Sequence, residues 1–147
     1  MTDTIIPATT GLVHNVLGMR HINKVLPALG TGLIIEVTAP PGLGAPPHLH
    51  DEDAEAFYIL SGELTVETQG KTVTLRPGDM CALPAGVEHA FRNASHEEVR
   101  FLAVITPGHD ALAFFTEVDR AGAAGGLTPD TVEALGTANG LTFAPAA

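Results

Sequence analysis

Four residues with metal-binding side chains stand at spacings that would bring them together if they lie on β-strands. His48 and His50 are two positions apart, so on one strand their side chains share a face. Glu55 follows a short acidic bend, and His89 lies on a separate predicted strand at 88–93. Imidazole and carboxylate groups suit a divalent first-row transition metal. The sequence therefore predicts one metal ion held by His48, His50, Glu55 and His89.

These residues belong to two longer patterns of glycines, prolines and ligands. The first reads Gly42-x5-His48-x-His50-x4-Glu55-x6-Gly62, and the second reads Gly78-x5-Pro84-x-Gly86-x2-His89-x3-Asn93. The pair resembles the two motifs of the cupin superfamily. This resemblance implies an all-β fold, an antiparallel jelly-roll β-barrel that holds the metal inside it. The alternative is that the four residues are surface or core polar groups of an ordinary sandwich.

The pattern of the remaining chain, taken without the motifs, also predicts many short strands. Runs rich in β-forming residues are separated by turns that contain glycine or proline, and they lie at 20–26, 32–39, 55–60, 64–68, 71–75 and 99–106. Short strands with no helix between them indicate an antiparallel sandwich or barrel. Residues 1–18 are predicted to form an arm or edge strand. We expect the barrel core to cover about 20–106.

The character of the sequence changes after Thr106. Apolar residues within 110–119 recur at helical offsets. Thr128 followed by Pro129 predicts an N-cap and first turn, and Gly140 is expected to stop this second helix. We interpret 107–147 as a helical extension packed on the barrel, within one domain at 1–147.

Glu55 has two candidate roles in this site. As a ligand it supplies the one carboxylate, and as a catalytic residue it could act as a base. Ligation is favoured, because a base must loosen its bond to the ion. The neighbouring acids Asp51, Glu52 and Asp53 could replace it if the register slipped, but a run of acids is expected to be solvated.

Alternation along the strands predicts which residues line a substrate pocket beside the metal. Phe57 and Ile59 share the face of Glu55, and Phe91 shares the face of His89. Ordinary core filling is the alternative for each of them. Tyr58 should point the opposite way.

Several other residues of interest match no ligand spacing. Phe114 and Phe115 either cap the barrel mouth or dock the late helix. The remaining histidines are expected at the surface, and they are His14, His21, His96 and His109.

Composition limits the kinds of partner. The chain has 147 residues, with 17 acidic against 7 basic side chains and a net charge of -10. Such a surface repels phosphate backbones and anionic membranes, so we expect neither as a partner.

The single cysteine, Cys81, rules out an internal disulfide and is predicted to be a buried, unreactive thiol. The chain start lacks the pattern of a signal peptide, so we expect a cytoplasmic protein.

The closer resemblance is to single-domain cupins of the quercetinase-like type. It rests on the His-x-His pair, the later Glu-x-Phe-Tyr and the Pro-Gly-Asp turn. It implies a metal-dependent dioxygenase acting on a small molecule with an enolic or aromatic hydroxyl group. The alternatives are a non-oxidative isomerase, decarboxylase or lyase, and a binding protein without turnover. The metal could be iron, manganese, nickel, copper, cobalt or zinc, and a homodimer is expected by analogy with other cupins.

Overall fold

A computed structural model describes residues 5–145 of the chain. Residues 1–4 and 146–147, at the ends of the predicted arm and the predicted extension, lie outside the described residues. The strands are β1 Leu12–Val16, β2 Met19–Val25, β3 Leu33–Ala39, β4 Gly44–His50, β5 Ala54–Ser61, β6 Leu64–Thr68, β7 Lys71–Leu75, β8 Met80–Leu83, β9 His89–Arg92, β10 Val99–Thr106 and β11 Leu141–Phe143. The helices are α1 His109–Ala123 and α2 Pro129–Ala138, and a short 3-10 turn covers Pro27–Leu29.

Two antiparallel sheets face each other, as the jelly-roll prediction requires. One sheet has the strand order β1-β2-β3-β10-β5-β8, and the other has the order β11-β4-β9-β6-β7. Strand β1 is an edge strand, which confirms the prediction for this part of the first 18 residues. The predicted strands at 64–68, 71–75 and 99–106 have the bounds that the structure shows.

Alternation along the strands builds the core between the sheets. Along β3, every second residue from Leu33 to Ala39 is buried, and β10 repeats this pattern from Val99 to Ile105. Strands β3 and β10 pair directly, with Val37 opposite Phe101. Burying one face of each sheet against the other is the main source of stability in such a fold.

The helical extension closes against this barrel. Helix α1 buries Ala111, Phe114, Phe115 and Val118. Helix α2 begins where the sequence predicts, since the Thr128 hydroxyl accepts a hydrogen bond from the backbone N–H of Thr131. Within residues 5–145, neither helix combines the length and the apolar character that crossing a membrane requires.

Candidate metal centre

The four predicted ligands converge inside the barrel. Their ligand atoms all lie within 4.8 Å of one another, and all four residues are buried. His48 and His50 come from β4, and His89 lies opposite His48 on the neighbouring strand β9. Glu55 reaches the cluster from β5 in the other sheet. The site therefore joins the two sheets across the barrel interior.

The Glu55 carboxylate is the centre of the cluster's charge interactions. Its Oε2 atom lies 2.7 Å from His89 Nε2 and 3.3 Å from His50 Nε2. Burial alone would raise the pKa of Glu55, but the hydrogen bonds with His50 and His89 hold it well below its ordinary value. Glu55 is therefore an ionised carboxylate at neutral pH.

The histidines respond to this carboxylate in different ways. Burial and the nearby His89 together lower the pKa of His48 to about 4, while Glu55 opposes the change. Burial would also lower the pKa of His89, but the hydrogen bond and charge of Glu55 raise it above its ordinary value. His48 is thus neutral at pH 7, as a metal ligand must be.

Backbone carbonyls orient two of the imidazole rings. The Nδ1 atom of His48 donates to the carbonyl of Pro46 at 2.8 Å, and that of His89 donates to the carbonyl of Val87 at 3.0 Å. Each bond turns the Nε2 atom towards the cluster and fixes the ring that carries it. Three imidazoles and one carboxylate held in this way fit a divalent transition metal.

A small apolar cavity opens beside the cluster. His48, His50 and Glu55 form part of its wall, and most of the remaining wall is aliphatic or aromatic. The volume of this cavity is about 40 Å³. The cavity therefore suits a small molecule with an apolar body.

The predicted pocket residues take different positions in the structure. Phe57 and Phe91 line the cavity, with their ring centroids 5.3 Å apart. Ile59 is packed in the core, where it is 1% exposed, and lies away from the cavity wall. Tyr58 faces outward, as the alternation predicts, and is 39% exposed. Phe114 and Phe115 both line the cavity, so helix α1 closes this end of the barrel as well as docking on it.

The prediction that His14 and His21 lie at the surface is wrong. Both are buried, and they stand opposite each other on β1 and β2. Helix α1 covers this part of the sheet, and Phe115 packs against His21 with ring centroids 4.8 Å apart. Alternation along β2 did not predict this burial, because His21, Ile22 and Asn23 are consecutive buried residues and the strand has no simple buried and exposed face there. His96 and His109 are exposed, as expected.

The prediction that the acidic bend is solvated holds for Asp51 and Glu52 and is wrong for Asp53. Asp53 is only 2% exposed. Its carboxylate accepts hydrogen bonds from the backbone N–H groups of Gly108 at 2.7 Å and Ala111 at 3.0 Å. It therefore caps the N-terminus of α1 from a distant part of the chain, a partnership that local sequence does not show.

The end of the chain contributes a strand that sequence reasoning missed. Strand β11 pairs with β4, and this places Leu141 opposite His50 and Phe143 opposite His48. Both Leu141 and Phe143 line the cavity, and the Phe143 ring lies 5.5 Å from the His48 ring. The alternation of Leu141 and Phe143 after Gly140 was the available signal, but three residues are too few to distinguish a strand from a tail.

Cys81 is half-buried on the edge strand β8, and less enclosed than the sequence predicted. Burial raises the pKa of its thiol, with a further contribution from the charge of Glu55. The thiolate is therefore disfavoured at neutral pH, which agrees with an unreactive thiol.

Comparison with known proteins supports the cupin superfamily. Residues 35–105 match the family model described as the cupin domain. The chain is 36% identical over 73 residues to an oxalate-binding protein of Thermotoga maritima, and this alignment covers 50% of this chain and 60% of that protein. It is 33% identical over 79 residues to quercetin 2,3-dioxygenase of Bacillus subtilis, and this alignment covers 54% of this chain and 23% of that enzyme. These alignments span less than two thirds of either relative.

A solved structure shows the same fold. The crystal structure of a predicted oxalate decarboxylase from Thermotoga maritima superposes with a TM-score of 0.63 at 25% identity, covering 69% of this chain and 97% of that one. Residues 35–105 contain all four metal-ligand candidates. The chain thus has an antiparallel jelly-roll fold like that of the cupin proteins it resembles, and its buried cluster is able to bind a metal.

Proposed function

We propose that this protein binds one divalent transition metal through His48, His50, Glu55 and His89. We propose further that it is a dioxygenase acting on a small molecule with an enolic or aromatic hydroxyl group. The observation that carries the proposal is the set of four buried ligand atoms within 4.8 Å of one another. The apolar cavity beside this set would receive the substrate.

The proposed ligands leave the bound metal ion with a net positive charge. Three neutral imidazoles and one carboxylate leave a divalent ion with one net positive charge. Iron, manganese, nickel, copper, cobalt and zinc all accept this ligand set. When bound, such an ion supplies an electrophilic centre that acidifies a hydroxyl group placed against it.

The protein's own residues would bind, orient and enclose the substrate. The rings of Phe57, Phe91 and Phe114 give it apolar walls, which exclude water from the reacting groups. Glu55 is best assigned as a ligand, because a carboxylate with a lowered pKa and two histidine partners is a poor base. The similarity to quercetin 2,3-dioxygenase supports the use of oxygen, although a three-ring flavonol exceeds the cavity volume.

A second candidate is non-oxidative chemistry, or binding without turnover, at the same metal. The similarity to an oxalate-binding protein and to a predicted oxalate decarboxylase favours it. The small cavity is also compatible with a compact carboxylate ligand, which would meet the local positive charge of the ion.

The first test is metal content per chain, measured by elemental analysis after purification and reconstitution. We expect one metal per chain in the wild type and a loss in His50→Ala. The matched control is His109→Ala, because His109 is exposed and should leave the metal count unchanged. Absence of metal from the reconstituted wild type would refute the proposal.

Oxygen dependence then separates the candidates. Oxygen uptake with single-ring phenolic or enolic compounds would support the dioxygenase. Turnover without oxygen would instead establish non-oxidative chemistry. Saturable binding with no turnover would establish a binding protein. A cytoplasmic location and a homodimer stay predictions from the sequence.

A further inference from the structure

His21 is the one cavity-lining residue outside the metal cluster with a polar side chain, among the residues that the structure describes. It lies on β2, three strands from Glu55 in the order β2-β3-β10-β5. Its side chain is 4% exposed and packs edge-on against Phe115, with an angle of 82° between the rings. The cavity thus has a polar group on its wall in addition to the metal cluster.

Both ring nitrogens of His21 lack a hydrogen-bond partner within residues 5–145. By contrast, each of the other buried histidines has a partner for at least one ring nitrogen: Asn23 for His14, backbone carbonyls for His48 and His89, and Glu55 for His50, whose Nδ1 is unpaired. Folded proteins rarely leave a buried polar group unpaired, because each such group retains its desolvation penalty. An unpaired imidazole that borders a cavity indicates that its partner enters with a ligand.

The chemical state of His21 defines what it can recognise. Burial lowers its pKa to about 3, with the neighbouring His14 lowering it and Glu55 opposing the change. The ring is therefore neutral at pH 7 and offers one N–H donor and one bare nitrogen acceptor. It can donate to a carbonyl or hydroxyl oxygen, or accept from a hydroxyl group.

We propose that His21 is a substrate-binding residue that recognises a second polar group, at the opposite end of the substrate from the metal. This inference rests on the proposed function, because the first polar group is the hydroxyl placed at the metal cluster. Strands β3 and β10 lie between β2 and β5, and the residues that they contribute to the cavity wall are apolar, among them Ile35, Phe101 and Ala103. The substrate class is therefore a compact compound with two separated oxygen substituents and an apolar body, and small phenols serve as its probes.

The test uses zinc-loaded protein without oxygen, so that the probes are bound but not oxidised. The probes are phenol, resorcinol and hydroquinone, which share one ring and differ in the presence and position of a second hydroxyl group. We measure their dissociation constants by calorimetry for the wild type, His21→Phe and His21→Asn. The two variants remove and retain hydrogen bonding, respectively.

We expect resorcinol or hydroquinone to bind the wild type about tenfold more tightly than phenol, which corresponds to ~1.4 kcal/mol. This advantage should disappear in His21→Phe and be partly restored in His21→Asn. Zinc content should be the same in the wild type and His21→Phe, because His21 is not one of the four ligands. A cooperative thermal unfolding transition will establish that each variant is folded. His21→Phe should unfold at a higher temperature than the wild type, because it removes an unpaired buried polar group.

The outcomes separate this inference from the proposed function. If phenol binds in a zinc-dependent way and a second hydroxyl gives no advantage, the role of His21 is overturned while the metal site stands. An advantage that persists in His21→Phe also overturns it. If zinc binds and none of the probes does, the substrate class is overturned. If zinc itself fails to bind, both proposals fall.

Discussion

Replacing Asp53 with alanine should weaken the connection between the ligand-bearing strands and helix α1. Asp53 lies in the bend between His50 and Glu55, and its carboxylate holds the backbone N–H groups of Gly108 and Ala111. Gly108 occupies the N-cap position and has no side chain to cap the helix itself. Helix α1 carries Phe114 and Phe115, which close the cavity. One buried side chain therefore supports both the metal loop and the cavity wall.

The magnitude follows from the two bonds that are lost. A hydrogen bond to a charged group contributes about 1.5–3 kcal/mol, and loss of a helix N-cap costs about 0.5–2 kcal/mol. Because the two bonds form one cap, their effects overlap, and we expect Asp53→Ala to lose about 3 kcal/mol of unfolding free energy. This corresponds to a fall in Tm of roughly 6–12 °C for a chain of this size. Asp53→Asn keeps one acceptor oxygen and should lose about half as much free energy.

The assay is urea unfolding of the metal-free protein, followed by far-UV circular dichroism because the sequence has no tryptophan. Chelator is present so that metal binding adds nothing to the stability. Asp51→Ala is the matched control, since Asp51 is exposed in the same bend and should change stability by less than about 0.5 kcal/mol. Equal effects of the two alanine substitutions would refute this account of α1.

Two further predictions concern other parts of the fold. As pH falls from 6.5 to 4, unfolded His21 takes up a proton that the folded protein, with a pKa of about 3 at this residue, does not bind. This group should remove up to about 1.4 kcal/mol of unfolding free energy per pH unit in the wild type. In His21→Phe the unfolding free energy should depend less steeply on pH across that range. Equal slopes for the two proteins would contradict the burial of His21. Gly44→Ala should lower the unfolding free energy by about 2 kcal/mol, because an added Cβ would clash with the backbone carbonyl oxygen of Phe91. Gly122→Ala in α1 should instead raise the unfolding free energy by up to about 1 kcal/mol, because the atom closest to an added Cβ would be Leu127 Cδ2 at 3.9 Å. If Gly44→Ala were the more stable of the two variants, the close packing of β4 against Phe91 would be refuted.

The fold was predictable because turns and alternation agree over most of the chain. The turn at Gln69 and Gly70 separates two strands whose bounds the sequence defines fully. Strand β4 was less clear, since Pro46 and Pro47 within it are residues typical of loops. Strand β11 was missed because its three residues are stabilised by pairing with β4, which is a contact between distant parts of the chain.

The metal cluster was predictable, and most of its surroundings were not. Alternation on one strand pairs His48 with His50, and the resemblance to the two motifs added Glu55 and His89, so all four could be found from the sequence. Which residues enclose the cavity depends on how α1 lies across the barrel, and local sequence does not define that packing. For this reason His21 and Asp53 were predicted to be exposed although both are buried, and Ile59 was predicted to line a pocket although it packs in the core.

The most direct test of the metal centre is anomalous diffraction from crystals of the reconstituted protein, recorded at the absorption edge of the metal found by elemental analysis. We predict a single strong peak inside the barrel, about 2.0–2.2 Å from a nitrogen of each of His48, His50 and His89 and from a carboxylate oxygen of Glu55. A peak at another position, or none in protein that carries stoichiometric metal, would contradict the assignment of these four residues as ligands.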